Sequence, residues 1–147
     1  MEAHAETLLR KSADDRAVLD HPLAPAILGF HAQQACEKLL KALLTAAGCE
    51  YPRTHNLAVL KQLAERYDQV LPALALPLAW LNDYAVPYRY DELPPGLEVD
   101  VAALRQTIDE LRAHVEGRLR ALVASAADRA AQDASRQPDS GDHGPLL

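Results

Sequence analysis

Residues 30–52 decide how this chain is read: Phe-His-Ala-Gln-Gln-Ala-Cys-Glu-Lys-Leu-Leu-Lys-Ala-Leu-Leu-Thr-Ala-Ala-Gly-Cys-Glu-Tyr-Pro. Straight-chain and alanine residues dominate the segment, and they favour helix. Its apolar surface is crossed by one polar stripe. His31, Gln34, Lys38 and Lys41 recur at steps of three, four and three, so they fall along one line of a helix. Gly48 is a natural stop, because glycine takes the left-handed conformation at little cost.

Working outward, the same period repeats. Helix 1 is expected over residues 2–20, with Ala5, Leu8, Leu9, Ala13 and Val18 on its apolar side. Pro22 and Pro25 bracket a short connection, and helix 2 runs from Ala24 to Ala47. Thr54 reads as the N-cap of helix 3, which carries Leu57, Leu60, Leu63, Ala64 and Tyr67. Pro77 suits the first turn of helix 4, which carries Leu78, Leu81 and Tyr84 and ends or kinks near Pro87. Trp80 reads as a core or interface anchor.

Helix 5 begins near Glu98 and has the cleanest pattern: Val101, Leu104, Ile108, Leu111, Val115, Leu119 and Leu122. Continued to Ala130 it would be about 45 Å long, longer than its neighbours. Residues 131–147 read as a disordered tail, with Ser, Asp, Gly, Pro and Gln dominant from Ser135 onward. The fold expected is all-α, an antiparallel up-and-down bundle of four or five helices over residues 1–130.

The chain has 147 residues and a net charge of −6, which makes it a poor non-specific binder of nucleic acid unless a local basic patch intervenes. Cys36 and Cys49 form neither a disulfide framework nor a metal-ligand spacing, and the six histidines are too scattered for a metal centre. No metal or cofactor is expected. The N-terminus lacks the basic and apolar regions of a signal peptide, and no apolar run approaches the roughly 18 residues of a membrane span. A cytoplasmic protein is the expectation.

Three blocks carry a family resemblance: Phe30-His31-Ala32-Gln33-Gln34-Ala35-Cys36-Glu37-Lys38, Tyr51-Pro52-Arg53-Thr54-His55-Asn56-Leu57, and Tyr84-Ala85-Val86-Pro87-Tyr88-Arg89-Tyr90. Together they resemble the HEPN domain family, named for nucleotide binding in higher eukaryotes and prokaryotes, over residues 5 to about 125. The resemblance implies a helical bundle, often homodimeric. Many prokaryotic members pair with a minimal nucleotidyltransferase in toxin–antitoxin modules, some are ribonucleases, and others are non-catalytic scaffolds.

Ribonuclease members carry Arg followed, after four to six residues, by His near the later helices. Here Arg89 has no such histidine, so no catalytic residue is assigned and autonomous ribonuclease activity is not expected. Arg16 and His21 match the spacing but lie at the end of helix 1, where Arg16 reads as solvated and His21 as a helix-end cap.

The candidate nucleotide-or-RNA site is therefore a groove of His31, Gln34, Lys38, Lys41, Tyr84, Arg89 and Tyr90. Lysine and arginine would grip phosphate, and the tyrosines, Tyr88 included, would stack on bases. Counting residues from Pro25 and Ala75 places Tyr84 level with Gln34, so the two motifs could share one wall each. A structural reading stands beside it. Glu37 and Lys41 make an i, i+4 pair on an exposed face, Gln34 satisfies buried backbone or a dimer contact, and His55 serves the start of helix 3.

The expected role is one component of a nucleotidyltransferase-linked, toxin–antitoxin type module that binds nucleotide or RNA, with a homodimeric state and a nucleotidyltransferase-type partner. The alternatives are a non-catalytic interaction module that dimerises through helices 4 and 5, and a ribonuclease with a non-standard site of His31, Arg89 and Tyr90.

Overall fold

The computed structural model describes residues 3–85 and 99–136. In chain order the helices are α1 (Ala3–Val18), α2 (Pro25–Ala46), α3 (Leu57–Arg66), α4 (Leu78–Leu81, followed by a 3-10 turn at Asn82–Tyr84) and α5 (Val101–Arg136). The described residues contain no strand, and the all-α expectation holds. No helix among them is long and apolar enough to cross a membrane.

α2 is the central element. Pro25 opens it where a missing N–H costs nothing, and Gly48 closes it at φ 74°. Ala32, Ala35, Cys36, Leu39, Leu40, Leu43 and Leu44 have no exposed surface. α5 covers one side with Leu104, Ile108, Leu111, Val115 and Leu119. α3 adds Leu57, Leu60 and Ala64, and α4 adds Leu78 and Leu81.

α1 packs on α2 through a stripe that is not purely apolar: Ala5, Leu8, Ser12 and Asp15, continued by Leu19. Ala13, counted on the apolar side from sequence, is exposed, and Val18 is only half-buried. Ser12 occupies the buried position because its hydroxyl donates to the Ala35 carbonyl across the helix pair, at 3.0 Å. A larger side chain there would hold the helices apart.

The later elements depart from expectation in several places. Asn56, not Thr54, caps α3: its Oδ1 accepts from the Ala58 amide at 3.0 Å, while Thr54 Oγ1 accepts from the Asn56 amide and shapes the turn before it. Helix 4 is a single α-turn. Asn82 draws the chain toward α3, its Oδ1 taking the Leu57 amide at 2.9 Å and its amide nitrogen donating to Asn56. Trp80 is 63% exposed and so is no core anchor, because one turn that buries Leu78 and Leu81 must point the residue between them outward. Val101 and Leu122, at the ends of the α5 pattern, are only half-buried.

α5 continues through Arg136, past the boundary drawn at 130. Leu119 is its last buried residue, and every residue from Val123 to Arg136 is exposed. Seventeen residues beyond Leu119 extend roughly 25 Å at helical rise. Alanine-rich composition sustains this overhang where packing does not.

The stretch between α3 and α4 has no regular structure. It is held by a polar stripe on α5. Thr107 Oγ1 accepts from the Leu76 amide at 3.0 Å and donates to the Ala103 carbonyl. Arg118 Nε donates to Gln69 Oε1 at 2.9 Å, and His114 bonds the Val70 backbone.

Candidate functional site

The stripe on α2 exists, but its charges are already spent. Lys38 Nζ bonds Asp15 Oδ2, and His31 Nδ1 lies 2.8 Å from Asp15 Oδ1. One turn further, Lys41 Nζ lies 3.2 Å from Glu37 Oε2, and His55 Nδ1 lies 2.8 Å from Glu37 Oε1. Each of two carboxylates thus bridges one lysine and one histidine. Both carboxylates are nearly inaccessible, with side-chain exposures of 12% for Asp15 and 5% for Glu37. A buried carboxylate is tolerable only when paired, so the lysines are drawn onto the carboxylates and away from free solvent.

The exposed i, i+4 pair expected of Glu37 and Lys41 is therefore corrected to a buried one. The reason is that α3 begins against this face. Gln33, fully buried, donates from Nε2 to the His55 carbonyl at 2.7 Å, and Gln34 donates to Gln33 Oε1 at 2.7 Å. Gln33, not Gln34, satisfies the backbone. Lys41 also sits 5.7 Å from the centre of the Tyr51 ring, a cation–π distance.

The two histidines differ in setting. The His31 side chain is 30% exposed and lies edge-on to Phe30, with ring centroids 5.3 Å apart. That of His55 is 75% exposed. In both, the carboxylate engages Nδ1 and leaves Nε2 as the nitrogen turned from the pair. That is the geometry in which a carboxylate orients an imidazole for hydrogen bonding elsewhere.

The second expected wall is displaced. The Tyr84 ring packs on Gly29, where a Cβ would come within 2.7 Å of its Cδ1. Tyr84 therefore lies level with Gly29, five positions before Gln34, a shift of about 7.5 Å along the helix. α4 begins at Leu78 and not near Ala75, and it gives way to a 3-10 turn, so the residue count overstated how far the chain advances. Desolvation raises the Tyr84 hydroxyl pKa, with Asp83 adding to the effect. Tyr84 does not share a wall with Gln34 and Lys38. Arg89 and Tyr90, with Tyr88, lie outside the described residues.

The Arg16–His21 spacing match resolves into structure. Arg16 is not solvated: it grips Asp109 on α5 with two bonds, of 2.9 and 3.1 Å, and reaches Asp20 at 3.0 Å. Those bonds hold its guanidinium firmly charged and tie α1 to α5. Among the described residues, no group of three or more His, Cys, Asp or Glu side chains gathers as a metal site would require.

Asp15 and Gln33 are the residues that motif reading missed. A signal for Asp15 was present. It stands in register with Ala5, Leu8, Ser12 and Leu19, so any buried face for α1 includes it.

Buried carboxylates thus tie the central helix of this bundle to the helix before it and the loop after it. The chain belongs to the HEPN domain family, whose family model matches residues 24–118. No curated protein matches the chain, and no solved structure does. The match begins after α1, so Asp15, the acceptor for both His31 and Lys38, lies outside it.

Proposed function

We propose that this HEPN protein is one component of a two-protein module with a nucleotidyltransferase-type partner, and that its α2 face contacts nucleotide or RNA. The observation that carries this reading is the pair of carboxylate-held histidines. His31 and His55 flank the stripe with Nδ1 engaged and Nε2 turned away. Nε2 can donate to a phosphate oxygen or accept from a ribose hydroxyl, and Gln34 supplies a further polar group between them. Lys38 and Lys41 contribute unused donor positions but little net charge, because Asp15 and Glu37 neutralise them. Binding on this face is then directional and weakly salt-dependent, unlike a basic groove.

That neutralisation also favours a second reading: a non-catalytic interaction module in which the whole network is structural. Titration separates the two. ATP and a short RNA are titrated into wild type and into His31→Ala and Gln34→Ala. Weakened binding in both variants supports the nucleotide-contacting face. Wild type that binds neither ligand at millimolar concentration sinks it and leaves the interaction module. A nucleotidyltransferase gene beside this one, and co-purification of its product, test the module separately.

A further inference from the structure

The α2 stripe does not end at Lys41. Thr45 follows it by one turn on the same line of the helix. There the helix runs into an open cavity of about 480 Å³, lined by His4, Thr45, Gly48, Cys49, Glu50 and Tyr51. That volume falls in the range of ligand sites. The cavity joins the first turn of α1, the C-terminal end of α2 and the start of the loop to α3. Its walls differ in chemistry. Tyr51 offers a ring, with His4 Nε2 3.3 Å from its hydroxyl and Lys41 Nζ 5.7 Å from its centre. Gly48 leaves open floor, since a Cβ built on it would meet nothing within 4 Å. Glu50 is exposed and, unlike Asp15 and Glu37, joins no ion pair among the described residues. Its carboxylate is an acceptor only, with two oxygens side by side, and the Thr45 hydroxyl can donate.

We infer that this cavity is a guanine subsite, with Glu50 reading the base and Tyr51 serving as its stacking platform. The Watson–Crick edge of guanine sets two adjacent N–H donors, at N1 and N2, beside a carbonyl oxygen. Both donors can bond one carboxylate, the carbonyl can accept from a hydroxyl, and the ring can stack on tyrosine. Adenine presents an acceptor at N1, which a carboxylate opposes. The inference rests on the nucleotide reading of α2, and Lys41 connects the two. It approaches the Tyr51 ring and shares Glu37 with His55. The ribose and phosphate of a base on Tyr51 then extend along the face that carries Lys41 and His55. His4 lies outside the family match, so the subsite belongs to this chain's own α1 as well as to the matched region.

Calorimetric titration of the full chain tests this, with GMP, IMP and AMP as one set and two short oligouridines, ending in guanosine or adenosine, as another. GMP should bind about tenfold tighter than AMP, the discrimination that a two-bond base contact gives. IMP keeps N1–H but lacks the N2 amine, and should fall between. Glu50→Gln, at an exposed position, should bring the GMP and AMP affinities together. Tyr51→Ala should weaken both alike, and circular dichroism checks that each variant is folded. A preference seen with GMP assigns a free nucleotide, and one seen only between the oligouridines assigns an RNA end; either upholds the subsite. Equal affinities within both sets, or a preference that survives Glu50→Gln, overturn the subsite and leave the nucleotide reading standing. Wild type that binds none of these ligands at millimolar concentration overturns both. If Tyr51→Ala fails to fold, the wild-type series and Glu50→Gln still decide.

Discussion

Two polar stripes run along helices of this bundle, and they solve the same problem differently. On α2, His31, Lys38 and Lys41 each meet a carboxylate, Gln34 bonds Gln33, and both buried carboxylates gain a lysine and a histidine. On α5, Thr107, His114 and Arg118 face a stretch with no regular structure and bond to its backbone and one glutamine. There the accounting is incomplete. Among the described residues, Glu110 Oε1 and His114 Nε2 are buried with no hydrogen-bond partner. The first stripe joins helices into one body. The second secures a loop and leaves two buried polar atoms unsatisfied, so the α5 stripe is the weaker seam.

The largest expected effect breaks the α2 side of this comparison. Asp15→Ala leaves Lys38 without its buried acceptor and should cost about 3–5 kcal/mol in urea unfolding. Asp15→Leu combined with Lys38→Met should recover most of that loss, because replacing both partners removes the unpaired charge. If the double variant is no better than the single, the network is more than a satisfied ion pair.

Next comes the α5 side. Thr107→Val keeps the shape but removes the acceptor of the Leu76 amide, at a cost of about 1–3 kcal/mol. Amide exchange at Leu76 should rise more than exchange in α2. Uniform exchange across both would contradict the idea of a weaker seam. Gly29→Ala should cost a similar amount, about 1–3 kcal/mol, by pushing the Tyr84 ring off α2.

A smaller, pH-dependent effect belongs to His114. Burial lowers its pKa from the ordinary value, and Arg118 lowers it further, against the Val70 backbone bond. The unfolded chain then binds the proton more readily than the folded one. Stability is complete above the unfolded value of about 6.5 and declines as pH falls from there through the lowered folded value. His114→Gln should flatten that decline in unfolding curves taken at a series of pH values. An unchanged slope would assign it to another group.

The smallest effect is chemical. Burial pushes the Cys36 thiol up to about 12, so an alkylating reagent should leave it unmodified in the native protein and label it in urea.

Much of the bundle was legible in the sequence because its leucines recur at three and four. Leu104, Ile108, Leu111, Val115 and Leu119 read as one face and are one face. The family was legible for a related reason, since its first block is also the core helix. What escaped was set by partners distant in sequence. Asp15 looks like any acid in a polar run until His31 and Lys38 are brought to it. Tyr84 was misplaced because the chain before Leu78 is held by α5 and not by its own helical bonds. Of the two readings of Trp80, core and interface anchor, exposure removes the core one: apolar character predicts burial on average, while a one-turn helix leaves no choice of face.

The position of α1 has a practical consequence. The family match starts at residue 24, yet Ser12 and Asp15 complete the packing and charge of the helix the match describes. A fragment cut to the matched boundaries would expose Ala35 and Ala42 to water and leave His31 and Lys38 facing nothing. The unit that can be expressed, exchanged between chains or used as a building block therefore includes α1, and the matched region is only part of it.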